Sequence, residues 1–130
     1  MFDFTAMQAA SLYLVILMVF GIFVAYRVIQ ARQGDDDELL QKRIRIHGNL
    51  IEYAPFFLIG LLALAASNAP VWLVHVLGAT FTAARLAHGL NFYNKPDVTG
   101  RPKGRFLGTL FTGITTLSLA VSLLYFIFLG

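Results

Sequence analysis

Between Tyr53 and Ala84 the chain carries no Asp, Glu, Lys or Arg, and charge-free runs also extend from Phe4 to Tyr26 and from Phe106 to Gly130. A water-soluble domain has no way to hide so much uninterrupted apolar chain: 58% of the residues are hydrophobic and 13% charged, where soluble domains are about a quarter charged. The middle run is too long for one membrane crossing and is broken by Ser67-Asn68-Ala69-Pro70, a turn signal, so it divides in two. The pattern predicts an all-α integral membrane protein, a four-helix bundle forming a single domain over residues 1–130. The expected spans are about 6–26, 44–66, 71–90 and 106–129, each adequate for a hydrocarbon core about 30 Å thick. The first run lacks a basic leader segment and a small-residue cleavage site before Arg27, so it reads as a retained helix and not as a signal peptide.

All ten Lys and Arg residues except Arg85 lie in or beside two connections on one side of such a bundle. Arg27, Arg32, Lys42, Arg43 and Arg45 belong to the first, and Lys95, Arg101, Lys103 and Arg105 to the second. The positive-inside rule puts both in the cytoplasm and both termini on the non-cytoplasmic side. A net charge of +3 is then the ordinary excess of cytoplasmic loops and gives no reason to expect nucleic-acid binding. The run Asp35-Asp36-Asp37-Glu38 is expected to cap and charge the start of the second helix at the end of a solvated elbow from Val28 to Lys42. The second connection, Asn91 to Gly104, is rich in Asn, Pro, Asp and Gly and reads as irregular.

With no cysteine, the chain has no disulfide, no thiolate metal site and no thiol nucleophile of its own. Any sulfur chemistry uses a thiol brought by a substrate. No metal-ligand spacing, glycine-rich phosphate loop or catalytic Ser-His-Asp order is present either. His47-Gly48-Asn49 and His88-Gly89-Leu90-Asn91 look alike, but one starts a helix and the other ends one, so they are not an internal repeat.

What remains is arginine-centred. Arg45, Asn49 and Glu52 are spaced by four and three residues, and at about 100° per residue they fall within roughly 60° of one another on a helix face. Glu52 sits about 10 Å deeper than Arg45 by helical rise. Ionisable side chains inside a span usually face protein and serve function, because an uncompensated charge there costs about 2.5–3.5 kcal/mol on insertion scales. On the third helix Arg85, His88 and Phe92 share one face, with Tyr93 beside it. If the second and third helices are antiparallel neighbours, Arg85 and Glu52 lie at similar depth and are expected to form an ion pair. Pro55 removes a backbone donor and is expected to bend the second helix. His75 is expected to make a helix-to-helix hydrogen bond, and the spacing of Gly104, Gly108, Thr112 and Thr116 permits close packing of the fourth helix. Arg27 and Arg105 complete a cationic rim. Several guanidiniums with a carboxylate and an amide suit a small zwitterion with two carboxylates and an amine, a description that glutathione meets.

The stretch Arg45-Ile-His-Gly-Asn49-Leu-Ile-Glu52-Tyr53-Ala-Pro55, with Arg85-Leu-Ala-His88 and four spans joined by two basic loops, resembles the membrane-associated proteins in eicosanoid and glutathione metabolism (MAPEG), in particular their small bacterial branch. The resemblance implies a homotrimer in a bacterial inner membrane, with glutathione bound between neighbouring subunits. It implies that Arg45, Asn49, Glu52 and Tyr53 hold glutathione, that Arg85, His88, Tyr93 and Arg27 contribute to the site, and that Arg105, or else Arg101, stabilises the thiolate. The implied activity is that of a transferase or peroxidase acting on lipophilic electrophiles or lipid peroxides; the alternative is a non-catalytic lipid- or partner-binding protein of the same fold. Eicosanoid-forming members have a tyrosine where this chain has Phe92, which cannot donate a hydrogen bond, so Tyr93 substitutes or the contact is missing. A small transporter or channel subunit is a weaker reading, because the outer half of every span is almost purely apolar.

Overall fold

The computed structural model describes residues 4–91 and 103–130, which form four α-helices: α1 (Ala6–Arg32), α2 (Asp37–Ala66), α3 (Val71–Asn91) and α4 (Lys103–Phe128). Successive helices run in opposite directions, so the end of α1, the start of α2, the end of α3 and the start of α4 share one end of the bundle. α1 packs on α2 and α3, and α4 packs on the same two helices. Among the described residues α1 and α4 do not meet, which makes α2 and α3 the diagonal pair through the centre.

The expected spans are all helical, but α1 and α2 extend past the membrane-length runs that revealed them. α1 continues to Arg32, and α2 begins at Asp37, where Asp36 Oδ1 accepts the Leu39 N–H at 3.0 Å. Asp37 and Glu38 occupy the first turn of α2, where their charge complements the helix dipole. The acidic run therefore does cap α2, and the expected long elbow shrinks to residues 33–36. At the other end Thr5 and Gln8 form a capping box on α1: Thr5 Oγ1 accepts the Gln8 N–H, and Gln8 Oε1 accepts the Thr5 N–H. The turn around Ser67 is as expected, with Asn68 at φ 60°, a left-handed conformation that asparagine tolerates. α2 runs unbroken through Pro55.

Three helices, α1, α2 and the Arg105–Phe128 part of α4, are long and apolar enough to cross a membrane by themselves. α3 has the length but not the composition, and the reason is visible in its packing. Its polar residues Thr82, Arg85 and His88 are buried inside the bundle, so protein and not lipid surrounds them. The core is otherwise apolar, with the rings of Phe57 on α2 and Phe81 on α3 stacked 3.8 Å apart. Large apolar side chains such as Ile22, Phe56 and Leu117 are exposed on the outer faces, as suits a lipid-facing surface.

Candidate functional site

The polar stripe of α2 meets α3 at the basic end of the bundle, and Arg85 is at the centre of that meeting. Arg85 is only 2% exposed. Its Nη1 donates to Asn49 Oδ1 on α2 at 2.5 Å, and its Nη2 donates to the Gly108 carbonyl on α4 at 3.3 Å. The guanidinium carbon lies 5.5 Å from the centroid of the Tyr53 ring, a cation–π distance. Arg85 thus ties α2, α3 and α4 together, while its Nε is buried with no hydrogen-bond partner.

The expected Arg85–Glu52 ion pair is not formed. Arg85 is turned inward to the amide of Asn49 and a backbone carbonyl, whereas Glu52 is exposed and makes no ion pair among the described residues. The physical reason is geometric: Asn49 and Glu52 lie roughly 60° apart on the helix, so only one of them faces α3. The amide faces the interior and the carboxylate the outside, which spares Glu52 the cost of burial but leaves Arg85, among the described residues, without a neighbouring anion.

His88, one turn beyond Arg85, is also buried and lies within electrostatic reach of both Arg85 and Arg105. Arg105 is exposed in the first turn of α4, and its carbonyl accepts the Thr109 hydroxyl at 3.0 Å. Arg45 is exposed at the same end. Arg27 is half-buried near the end of α1, its guanidinium 5.9 Å from the Phe23 ring. Asn49, Tyr53, Arg85, His88 and Arg105 therefore come together where α2, α3 and α4 converge, with Glu52 and Arg45 on the exposed side of the α2 stripe. Tyr93 and Arg101, together with Phe92, lie outside the described residues.

Two residues matter that the sequence reading did not assign to the site. Arg43 donates from Nη1 to the Arg27 carbonyl at 2.8 Å and so ties the basic ends of α1 and α2 together; its place in the basic run was the only available signal. Gly108 was legible as part of a packing motif, but its carbonyl contact with Arg85 was not.

A second feature is wholly apolar. A groove of about 530 Å³ runs between α1 and α2, lined by residues that include Leu14, Met18, Ile22, Ile51, Pro55 and Ile59. At the opposite end of the bundle, His75 makes the expected helix-to-helix hydrogen bond, its Nδ1 lying 2.8 Å from the Tyr13 hydroxyl of α1.

Over 70 residues the chain is 37% identical to a protein named "Inner membrane protein YecN" from Escherichia coli strain K12, and equally to its namesake from E. coli O6:H1. The match covers 54% of this chain and 52% of each relative, so the chain spans about half the length of the curated relatives it matches. No solved structure matches. The family model described as "MAPEG family" matches residues 7–125, nearly the whole chain, and the protein belongs to the MAPEG family.

Proposed function

We propose that the protein is a glutathione-dependent transferase or peroxidase of the bacterial inner membrane, a homotrimer with its basic end in the cytoplasm and both termini on the other side. The observation that carries this reading is the buried Arg85, clamped to Asn49 beside an exposed carboxylate at Glu52, at the end of an otherwise apolar bundle. A charge so placed favours an anion nearby, and the exposed Glu52 suits an amine. Arg45 offers a bidentate fork for a carboxylate. Relatives named as inner membrane proteins support the location.

In this reading Glu52 takes the amine of glutathione, Asn49 and Arg45 take its acceptor groups, and Arg105 holds the sulfur as thiolate. The guanidinium favours the charged form, so the thiol gives up its proton to solvent at a lower pH than in water. The thiolate then attacks an electrophilic carbon, forming an S–C bond as the leaving group departs with its electron pair. With a lipid peroxide, sulfur takes the terminal oxygen, the O–O bond breaks and the alkoxide is protonated to an alcohol; a second glutathione reduces the resulting sulfenic acid, giving disulfide and water. The apolar groove between α1 and α2 favours a second reading, a non-catalytic member that holds a lipid chain.

Thiolate absorbance separates the two. Purified protein mixed with glutathione at neutral pH is expected to show a thiolate signal that Arg105→Ala abolishes and Glu52→Gln weakens through lost binding. Glutathione binding without ionisation supports the second reading, and an absence of binding defeats the enzyme.

A further inference from the structure

The groove between α1 and α2 is a slot of definite length and width. It runs from Leu14 to Ala25 on α1 and from Leu50 to Leu62 on α2, which by helical rise is about 16–18 Å, close to one leaflet of a hydrocarbon core about 30 Å thick. Spread over that length, a volume of about 530 Å³ leaves a cross-section of about 30 Å². A transmembrane helix, about 10–12 Å across with its side chains, needs about 80–110 Å². A hydrocarbon chain, whose carbons pack about 4 Å from their neighbours, lies in the slot along its length. Gly21, Ala25 and Ala54 contribute little side chain to the walls. Apart from its own helix, a β-carbon at Gly21 would have only Leu50 Cδ2 within 4 Å, at 3.9 Å, so the space beside it is open.

At the basic end both walls run on into polar side chains. Arg32 lies seven residues beyond Ala25 and within about 20° of it around α1; His47 lies seven residues before Ala54 and within about 20° of it around α2. Arg32 is exposed and His47 half-buried, and Arg32 has no ion pair among the described residues. Bonds from the Gln33 N–H to the Gln30 carbonyl and from the Gly34 N–H to the Ala31 carbonyl, each 3.2 Å, carry the chain one tight turn past Arg32. That turn sets the exposed Asp35 farther from the groove than Arg32. Asp36 is engaged by the Leu39 N–H and Glu38 by Lys42 at 3.1 Å, whereas the Asp35 carboxylate has no ion pair among the described residues. Outward from the bundle the order is apolar slot, cation, carboxylate. A phospholipid with an amine head group has the complementary order of acyl chain, phosphate and ammonium.

We infer that this groove binds a phospholipid with a primary ammonium head group, of the phosphatidylethanolamine type. One acyl chain lies along Gly21, Ala25 and Ala54, the phosphate meets Arg32 and the His47 ring N–H, and the ammonium donates to Asp35. A quaternary ammonium has no N–H for Asp35, and an anionic head group without an amine sets negative charge against it. The inference takes from the second reading above only that the groove holds a lipid chain, and it names the lipid. It is separate from the glutathione site, because Ile51 of the groove lies about 160° around α2 from Asn49.

The test offers the purified protein in mild detergent an equimolar mixture of phosphatidylethanolamine, phosphatidylcholine and phosphatidylglycerol with identical acyl chains, and counts retained lipids by native mass spectrometry. Phosphatidylethanolamine is expected to be retained at least about fivefold over either competitor, saturating near one per protomer. Arg32→Gln is expected to lower its retention about tenfold, and Asp35→Asn to abolish the preference over phosphatidylcholine. Both positions are exposed, so these variants keep the test open should a groove variant fail to fold. Gly21→Leu, which fills the slot, is expected to lose all three lipids while glutathione binding is unchanged. Lipid retained without head-group preference, or with phosphatidylglycerol preferred, overturns the inference and leaves the groove as a lipid-chain site. No retained lipid overturns the inference and the second reading together. Gly21→Leu protein that keeps its lipid but loses its oligomeric mass marks the groove as an interface between copies and overturns the inference as well.

Discussion

Both ends of the bundle hold a polar contact between helices beside a close-packed glycine, but only one of them carries a buried charge. At the end near Tyr13, the phenol and His75 bond each other at 2.8 Å, with Gly78 making room for the tyrosine ring. At the basic end, Arg85 has an amide, a carbonyl and an aromatic face but, among the described residues, no anion, and its Nε has no acceptor there. A polar pair that bonds to itself serves the fold, because its hydrogen bond joins two helices. A buried charge with no counter-charge among the described residues suits the anionic ligand proposed for this end.

That contrast makes stability and ligand binding respond oppositely at the two ends. The largest stability change is expected from Asn49→Leu, which strands Arg85 Nη1 in the interior and destabilises the protein by about 3 kcal/mol in denaturant unfolding. Adding Arg85→Met is expected to restore most of that loss, since an apolar pair is tolerated where a stranded charge is not, while glutathione binding stays abolished. Gly78→Ala comes next, at about 2 kcal/mol, because its β-carbon would fall 2.2 Å from Tyr13 Cδ2; binding is expected to be unchanged. Tyr13→Phe leaves His75 without its partner and is expected to lower stability by about 1 kcal/mol, again with full binding. Glu52→Gln is expected to alter stability by less than about 0.5 kcal/mol, yet to weaken glutathione about tenfold or more by calorimetry. Loss of binding in Gly78→Ala or Tyr13→Phe, with the bundle still folded, would erase the distinction between the ends.

Much of this organisation was legible in the sequence, and the omissions have physical causes. Charge-free runs marked every helix, but they report the membrane and not the helix, so Val28–Arg32 of α1 and Asp37–Arg43 of α2 read as loop until the Asp36 cap came into view. The stripe of Arg45, Asn49 and Glu52 identified the right helix face. It did not say which member turns inward, and charge complementarity pointed to Glu52 where burial selects Asn49. His75 was easier, because a lone histidine in an apolar span has few alternatives to a partner on a neighbouring helix. The tie between Gly108 and Arg85 joins residues on different helices through a backbone carbonyl, which carries no side-chain signature for a sequence pattern to display.

The most direct measurement is proton release on titrating glutathione into wild-type protein in weakly buffered solution near neutral pH. The free thiol, with a pKa of about 8.5, is mostly protonated there, so capture as thiolate must expel a proton. Saturable binding with close to one proton released per occupied site is the expected result. Saturable binding with no proton released, or no saturable binding, contradicts a site built to hold a negative sulfur.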